Sequence, residues 1–427
     1  MAEKKTGPTK AEVAALKALA AAPWLKDARC QRVFDALEAG GYPARAVGGA
    51  VRNTLMGLEA ADVDIATPAL PQTVMSLCRA AGLGVHATGL EHGTITVVSG
   101  RAPYEVTTLR RDIETHGRHA TVAFTEDWQE DAGRRDFTMN AIYCDRHGGI
   151  HDPLGGLSDL MVGHVRFIGS AVERIREDYL RILRFFRFFA TYGKGDIDRD
   201  GLQACLNERE GLSQLSAERV GAELLKLLIA PRARDALDVM AATGIDRIVT
   251  GHRSDLARFE KLAALQTRFG RPPDPMLRLA ALATQSASDA RAVASRLRLS
   301  NAQRSLLVVA ADARTDAQFD DESAQRIALY RFGEEAYLVQ CLMAWARSKT
   351  PVDEDGHFRK AIELPARWLP GSLPFKGSDV VSLGVPPGPI VGEVLRQFED
   401  WWVEAGFPLD RKLLEAQLSV LVDATRQ

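Results

Sequence analysis

Hydrophobic and polar positions change rhythm near residue 170. From about Tyr42 to Ile168, short apolar runs alternate with polar turns and brief helical stretches. Arg45-Ala46-Val47 reads as a buried strand, and residues 51–56 as the first turns of a helix. Residues 94–98 and 104–109 flank Ser99-Gly100-Arg101-Ala102-Pro103, which predicts a β-hairpin. Residues 11–40 predict two Ala-rich helices broken near Pro23. Residues 111–130 carry charge and histidine without sustained periodicity, and predict a long mobile loop. After Ser170, Ala, Leu, Arg and Glu recur at helical spacing, with breaks near 271–273, 350–351 and 369–371. The pattern predicts an α+β chain: a mixed-sheet head followed by an all-helical remainder.

A chain of 427 residues buries a large core and is expected to divide into more than one domain. The net charge of −2 does not mark a broad nucleic-acid-binding surface. Any RNA contact must come from a local stripe, and residues 174–187 offer one in Arg174, Arg176, Arg181, Arg184 and Arg187. The alternative for that stripe is a solvated helix with Arg stems packed on Phe and Leu. Five scattered cysteines without a CxxC pair argue against a zinc site and for a reducing compartment. Residues 1–10 are polar and lack a signal-peptide pattern, and no apolar run approaches a membrane span. The cytoplasm is the expected location.

The densest chemistry lies in Gly48-Gly49-Ala50-Val51-Arg52 and, at close range, Asp62-Val63-Asp64. A glycine pair at a strand-to-helix junction lets backbone N–H groups approach an anion, and the helix start adds partial positive charge. Arg52 reaches for outer phosphates in the same reading. Asp62 and Asp64 stand two apart on a predicted strand, so both project from one face. Two such carboxylates beside a triphosphate cradle are what two-metal phosphoryl or nucleotidyl transfer requires, with Mg²⁺ the suited ion. Glu105, on the strand after the hairpin turn, is either a third carboxylate of that cluster or an exposed edge residue.

Further motifs follow: Arg134-Arg135-Asp136-Phe137-Thr138-Met139-Asn140-Ala141, Asp152-Pro153-Leu154-Gly155-Gly156 and Glu177-Asp178-Tyr179-Leu180-Arg181. In their order with the two motifs above they resemble the class II tRNA nucleotidyltransferase and bacterial poly(A) polymerase family. The resemblance runs from about Pro43 to Leu228, and returns weakly at residues 298–301 and 375–392. It implies catalysis by Asp62, Asp64 and Glu105, and nucleotide binding by Gly48, Gly49, Arg52, Arg134, Asp136, Asn140, Asp178 and Arg181. Asp136 and Asn140 are suited to sugar hydroxyls and the arginines to phosphates, unless the segment is a buried polar knot. His151-Asp152 reads as a turn, with Asp152 bracing the loop, rather than as a metal phosphohydrolase pair. The family typically has Asp after the motif arginine, where this chain has Asn53.

Asp178 and Arg181, three apart, share a face if both are helical. Cytosine and adenine each present an amine beside an unprotonated ring nitrogen. Aspartate accepts from the first and arginine donates to the second. Guanine and uracil reverse that polarity. The resemblance implies a head with its leading helices at residues 1–168, a base-reading neck at 169–250, and a body and tail at 251–427 that hold the tRNA acceptor end. Ser216 is expected to cap a neck helix, with Glu218 or Arg219 buttressing the base reader. The resemblance also implies that residues 111–130 serve the switch from C to A addition.

The expected activity is template-independent addition of CCA to tRNA from CTP and ATP, with no protein partner or membrane implied. Poly(A) synthesis is the near rival. Asp-Val-Asp rather than Asp-Phe-Asp, and the absence of a long basic C-terminal stretch, favour CCA. A catalytically silent RNA-binding protein is the alternative of a different class.

Overall fold

The computed structural model describes residues 9–60, 62–116, 119–313, 321–354 and 356–425, with side chains at 112–121 left aside. Contacts divide the chain into two compact units, Met1–Val249 and Thr250–Gln427.

The first unit is built on strands β1 (Arg45–Val47), β2 (Asp64–Thr67), β3 (Gly84–Gly89), β4 (Thr94–Ser99), β5 (Ala102–Thr108), β8 (Tyr143–Cys144) and β9 (Ile150–His151). They form one sheet in the order β3-β4-β5-β2-β1-β8-β9. Every neighbouring pair is antiparallel except β2 and β5, which run parallel. The expected hairpin is β4–β5. Its alternation buries Ile95, Val97, Tyr104 and Val106 and turns Glu105 to solvent.

Residues 111–130 are not a loop. Strands β6 (Arg110–His116) and β7 (His119–Phe124) pair as a separate two-stranded hairpin, followed by the helix Trp128–Gly133. A register shift between Asp112 and Glu114 breaks the period of two, so alternation along the sequence does not reveal the strands. The leading segment also differs from expectation. It folds as three helices, Lys10–Ala20, Pro23–Lys26 and Ala28–Ala39, because Pro23 starts a short helix as well as ending the previous one.

No described residue beyond His151 belongs to a named strand. Residues 174–187 divide between two helices, Ala171–Glu177 and Leu180–Tyr192, with Asp178 extended between them (φ −155°, ψ 104°). The second of these buries Phe185, Phe186, Phe188 and Phe189, and Phe185 stacks on Phe167 with ring centroids 5.3 Å apart. That aromatic packing fixes the helix against the end of the sheet domain.

The second unit is helical, and Gly333 (φ 76°) kinks its longest helix, Glu322–Arg347. A separate apolar cluster around Phe398, Trp402 and Leu418 organises its C-terminal end. All five cysteines are free and fully buried. Among the described residues, no helix is long and apolar enough to cross a membrane.

Candidate active site

The β1-to-helix junction behaves as its residues dictate. Gly48 takes φ 76° and ψ −129°, a conformation that L side chains avoid, and the helix Gly49–Leu55 begins directly after it. A Cβ on Gly48 would sit 3.8 Å from Asp64 Oδ2, so the glycine turn lies against that carboxylate.

Asp64 opens β2, whereas Asp62 lies just before the strand and is exposed. The parallel register sets Glu105 directly beside Asp64. Burial first, then repulsion from Glu105 and Asp62, raises the Asp64 carboxyl to about 6 against the opposing pull of Arg135. Glu105 is therefore both an exposed strand residue and a neighbour of the cluster. Among the described residues, no three His, Cys, Asp or Glu side chains form a closed metal cage.

Beside this cluster lies a cavity of ≈540 Å³ lined by seven arginines: Arg52, Arg134, Arg135, Arg181, Arg184, Arg187 and Arg219. Gly48, Gly49, Asn140 and Phe188 share the lining, and its acids among the described residues are Asp136 and Asp178. Three more carboxylates stand behind: Asp131 against Arg134 and Arg135, Glu177 against Arg181, and Glu223 against Arg187. Asp136 pairs with Arg184 and Asp178 with Arg219. Seven lining guanidiniums thus meet five carboxylates, one of which, Glu177, is shared with Arg174, so positive charge is in excess.

Arg52 is the member whose hydrogen-bond partners are all neutral. It donates to Asn140 Oδ1 (2.5 Å), to the Tyr192 hydroxyl (2.7 Å) and twice to Asn53 Oδ1 (2.8 and 3.2 Å). Its guanidinium also lies 4.2 Å from the Tyr192 ring centroid. Burial pulls its pKa down. The expected bidentate grip on phosphate therefore does not describe this arrangement, because most of its N–H groups already bond within the protein. Asn53 keeps the hydrogen-bonding part of an aspartate's role without its charge, and donates to the Glu59 carbonyl at 2.9 Å.

The 134–141 motif is a buried polar knot that also lines the cavity. Asp136 accepts from Phe137 N, Asn140 Nδ2 and both Nε and Nη2 of Arg184, which fills its usual acceptor capacity. Burial alone would raise its pKa, but Arg184, Asn140 and Phe137 N outweigh it and hold it at about 2. Asp136 has no acceptor left for a sugar hydroxyl. It shapes the wall by fixing Arg184 and Asn140.

Asp178 and Arg181 line the cavity together but do not form a helical pair. Because Asp178 is extended, its Oδ1 accepts from Leu180 N and its Oδ2 from Arg219 at 2.6 Å. Arg181 instead donates to Glu177 Oε2 (2.5 Å) and the Arg174 carbonyl (2.8 Å). Each Asp178 oxygen keeps a lone pair for a further donor. Arg219 is the buttress expected in the helix Ala217–Leu228, although Ser216 at its N-cap makes no side-chain capping bond.

Sequence reasoning treated Arg184 and Arg187 as candidate RNA contacts, but they line this cavity. Their spacing from Arg181 at i+3 and i+6 was the available signal for one helical face. Phe188, with Arg52, Arg184 and Arg187 each within 4.5–5.2 Å of its ring centroid, had no polar signature. Asp152 does brace its loop, accepting from Gly156 N and Leu157 N at 2.8 Å.

Comparison with known proteins agrees with this geometry. Residues 44–166 match the family model described as "Poly A polymerase head domain", and residues 196–249 match "Probable RNA and SrmB- binding site of polymerase A". The chain is 34% identical over 383 residues to the mitochondrial CCA tRNA nucleotidyltransferase 1 of Danio rerio, covering 88% of this chain and 87% of that one. It is 30% identical over 396 residues to the CCA-adding enzyme of Levilactobacillus brevis, covering 91% and 96%. The crystal structure of the Bacillus stearothermophilus CCA-adding enzyme in complex with CTP superposes with a TM-score of 0.68 at 28% identity, covering 94% and 98%. With identity at this level over most of its length, the chain belongs to the class II CCA-adding enzyme and poly(A) polymerase family.

Proposed function

We propose that the chain adds C, C and A to tRNA 3′ ends, using CTP and ATP without a nucleic-acid template. The observation that carries this reading is the arginine-lined cavity, bounded on one side by the Gly48 turn, against which Asp64 lies, and on another by Asp178, Arg181 and Arg219. Its excess positive charge suits a triphosphate, and Arg52 adds charge that no paired carboxylate cancels. Asp178 would accept a base amine through its remaining lone pairs while Arg219 holds it in place, and Arg181 would donate to the unprotonated ring nitrogen. Gly48 and Gly49 would cradle phosphate through backbone N–H groups, with Arg134, Arg135 and Asn140 completing the wall.

The donor set also fits Mg²⁺, a hard ion that takes one or two carboxylates and completes its shell with phosphate oxygens and water. A raised Asp64 beside Glu105 and Asp62 marks a place where added positive charge is favourable. Mg²⁺ held by Asp62 and Asp64 would supply the Lewis acidity that activates the RNA 3′-hydroxyl and steadies departing pyrophosphate. Glu105 would hold negative charge next to Asp64 and keep the ion on that face. The acceptor end of tRNA is the proposed partner, no protein partner is invoked, and the buried thiols suit a reducing, cytoplasmic setting.

The test is incubation with tRNA lacking CCA, with each nucleotide alone and combined, followed by sequencing of the 3′ ends. Ordered C, C, A addition is expected. Long A-tails made faster on an unstructured primer would assign poly(A) synthesis. Absence of any incorporation would leave a silent RNA-binding protein.

A further inference from the structure

The helical second unit contains a cavity of ≈450 Å³ between the start of the helix Leu256–Arg268 and the end of the helix Glu322–Arg347. Arg258, Lys261 and Arg347 line it, against one carboxylate, Asp255. The arginines are oriented by neutral acceptors. Arg258 Nε donates to the Ala281 carbonyl at 2.5 Å, and Arg347 Nη1 to the Ala313 carbonyl at 2.8 Å. Asp255 Oδ2 stands 3.7 Å from Arg258 Nε, beyond hydrogen-bond range, while its Oδ1 caps the helix at Arg258 N.

Arg347 is the less satisfied of the two. Its Nε and Nη2 are buried and have no hydrogen-bond partner among the described residues. Burial first, then repulsion from Arg258, pulls its pKa down to about 10 against a partial opposing pull from Asp312. A purely structural role would place Arg347 at the negative end of its helix, where a cation is modestly favoured. That explains a preference for a cation there, but leaves two buried N–H-bearing atoms without acceptors among the described residues, which is costly.

Two guanidiniums that lean on carbonyls line one cavity and share no carboxylate among the described residues; the Lys261 ammonium beside them donates to the Ser348 carbonyl at 2.8 Å. A tetrahedral oxyanion has enough acceptor oxygens to meet both forks at once, which a single carboxylate does less completely. We infer that this cavity binds a phosphate group, either carried on an RNA strand or free in solution. Binding turns the Arg347 head toward the cavity and supplies its missing acceptors. This assignment concerns the second unit and does not depend on which nucleotides the head incorporates.

The experiment is hydrogen exchange on the full chain, read at residues 255–261, 281–285 and 344–349. One arm adds inorganic phosphate against chloride of equal ionic strength, and the other adds tRNA lacking CCA. Protection in the phosphate arm, weakened about tenfold or more in apparent affinity by Arg347→Met, assigns a free-phosphate site. Protection only in the RNA arm assigns a backbone phosphate, and the slope of log K against log salt should then fall by about 0.7–0.9 in the variant. Arg258→Met gives the same readout if Arg347→Met does not fold. Phosphate bound at the head pocket is distinguished by its protection map, which the two variants should leave unchanged. Absence of protection at these segments in both arms, or protection that survives both substitutions, overturns the assignment.

Discussion

Asp131→Asn probes how the first unit holds its arginine wall. Asp131 is 1% exposed and accepts from Arg134 Nε (2.8 Å), Arg135 Nη2 (3.1 Å), the Tyr143 hydroxyl (2.7 Å) and Arg110 N (3.3 Å). Burial alone would raise its pKa. Arg135 and Arg134, with the Tyr143 hydroxyl, outweigh burial and lower it from 3.8 to about 2. A shift of that size is worth about 2 kcal/mol at neutral pH. Because the folded value is the lower one, this contribution is full above the unfolded value of 3.8. It is about half lost at pH 3 and vanishes as pH falls through 2. Breaking a buried pair costs about 3–5 kcal/mol, and Asn retains one acceptor, so about 3 kcal/mol is expected at pH 7. Urea unfolding of both proteins from pH 7 to 3, followed by circular dichroism and tryptophan fluorescence, measures the gap. It should narrow by about 1 kcal/mol at pH 3. A gap below about 0.5 kcal/mol at pH 7, or one that stays constant as pH falls, would refute the assigned charge network. Nucleotide KM should rise as well, since Arg134 and Arg135 line the cavity.

Three further outcomes follow from the site. Asp62→Asn or Asp64→Asn should abolish nucleotide incorporation at saturating Mg²⁺ with an unchanged circular dichroism spectrum, and wild-type turnover in either would sink the metal assignment. Arg181→Ala should weaken CTP and ATP use and blur rejection of UTP and GTP by about five- to hundredfold, measured as ratios of kcat/KM. Unchanged preference would reduce Arg181 to the ion pair it makes with Glu177. Replacing the β6–β7 hairpin with a short Gly-Ser linker should impair addition of the terminal A more than the two C additions, scored by 3′-end sequencing, and equal loss at all three steps would remove its switching role.

The strand-to-helix junction, the β4–β5 hairpin and the helical second half were legible because each follows a simple period or a glycine requirement. The β6–β7 hairpin was not, since its register shift interrupts alternation. Likewise, a spacing of three between Asp178 and Arg181 suggested a shared helical face, but the chain extends at Asp178 and restarts as a helix at Leu180. The motifs named most of the cavity's lining. What they could not show was which groups satisfy one another: Arg52 with Tyr192 is a contact across 140 residues of sequence, and Asp178 with Arg219 across 41. Such pairings depend on tertiary packing, which local patterns do not encode.

The buried cysteines give the molecule its own set of internal reporters. Burial pushes the thiols of Cys30 and Cys144 up to about 12 and that of Cys78 to about 11. At neutral pH a thiol near 12 is ionised in roughly one molecule in 10⁵, and the thiolate is the reactive form. Modification by a thiol reagent therefore records moments when the surrounding structure opens rather than the chemistry of an exposed side chain. Four of the five thiols lie in the first unit and Cys341 alone in the second. Mapping which cysteine is labelled, and how fast, times the opening of each unit separately in the unmodified chain, with no probe introduced.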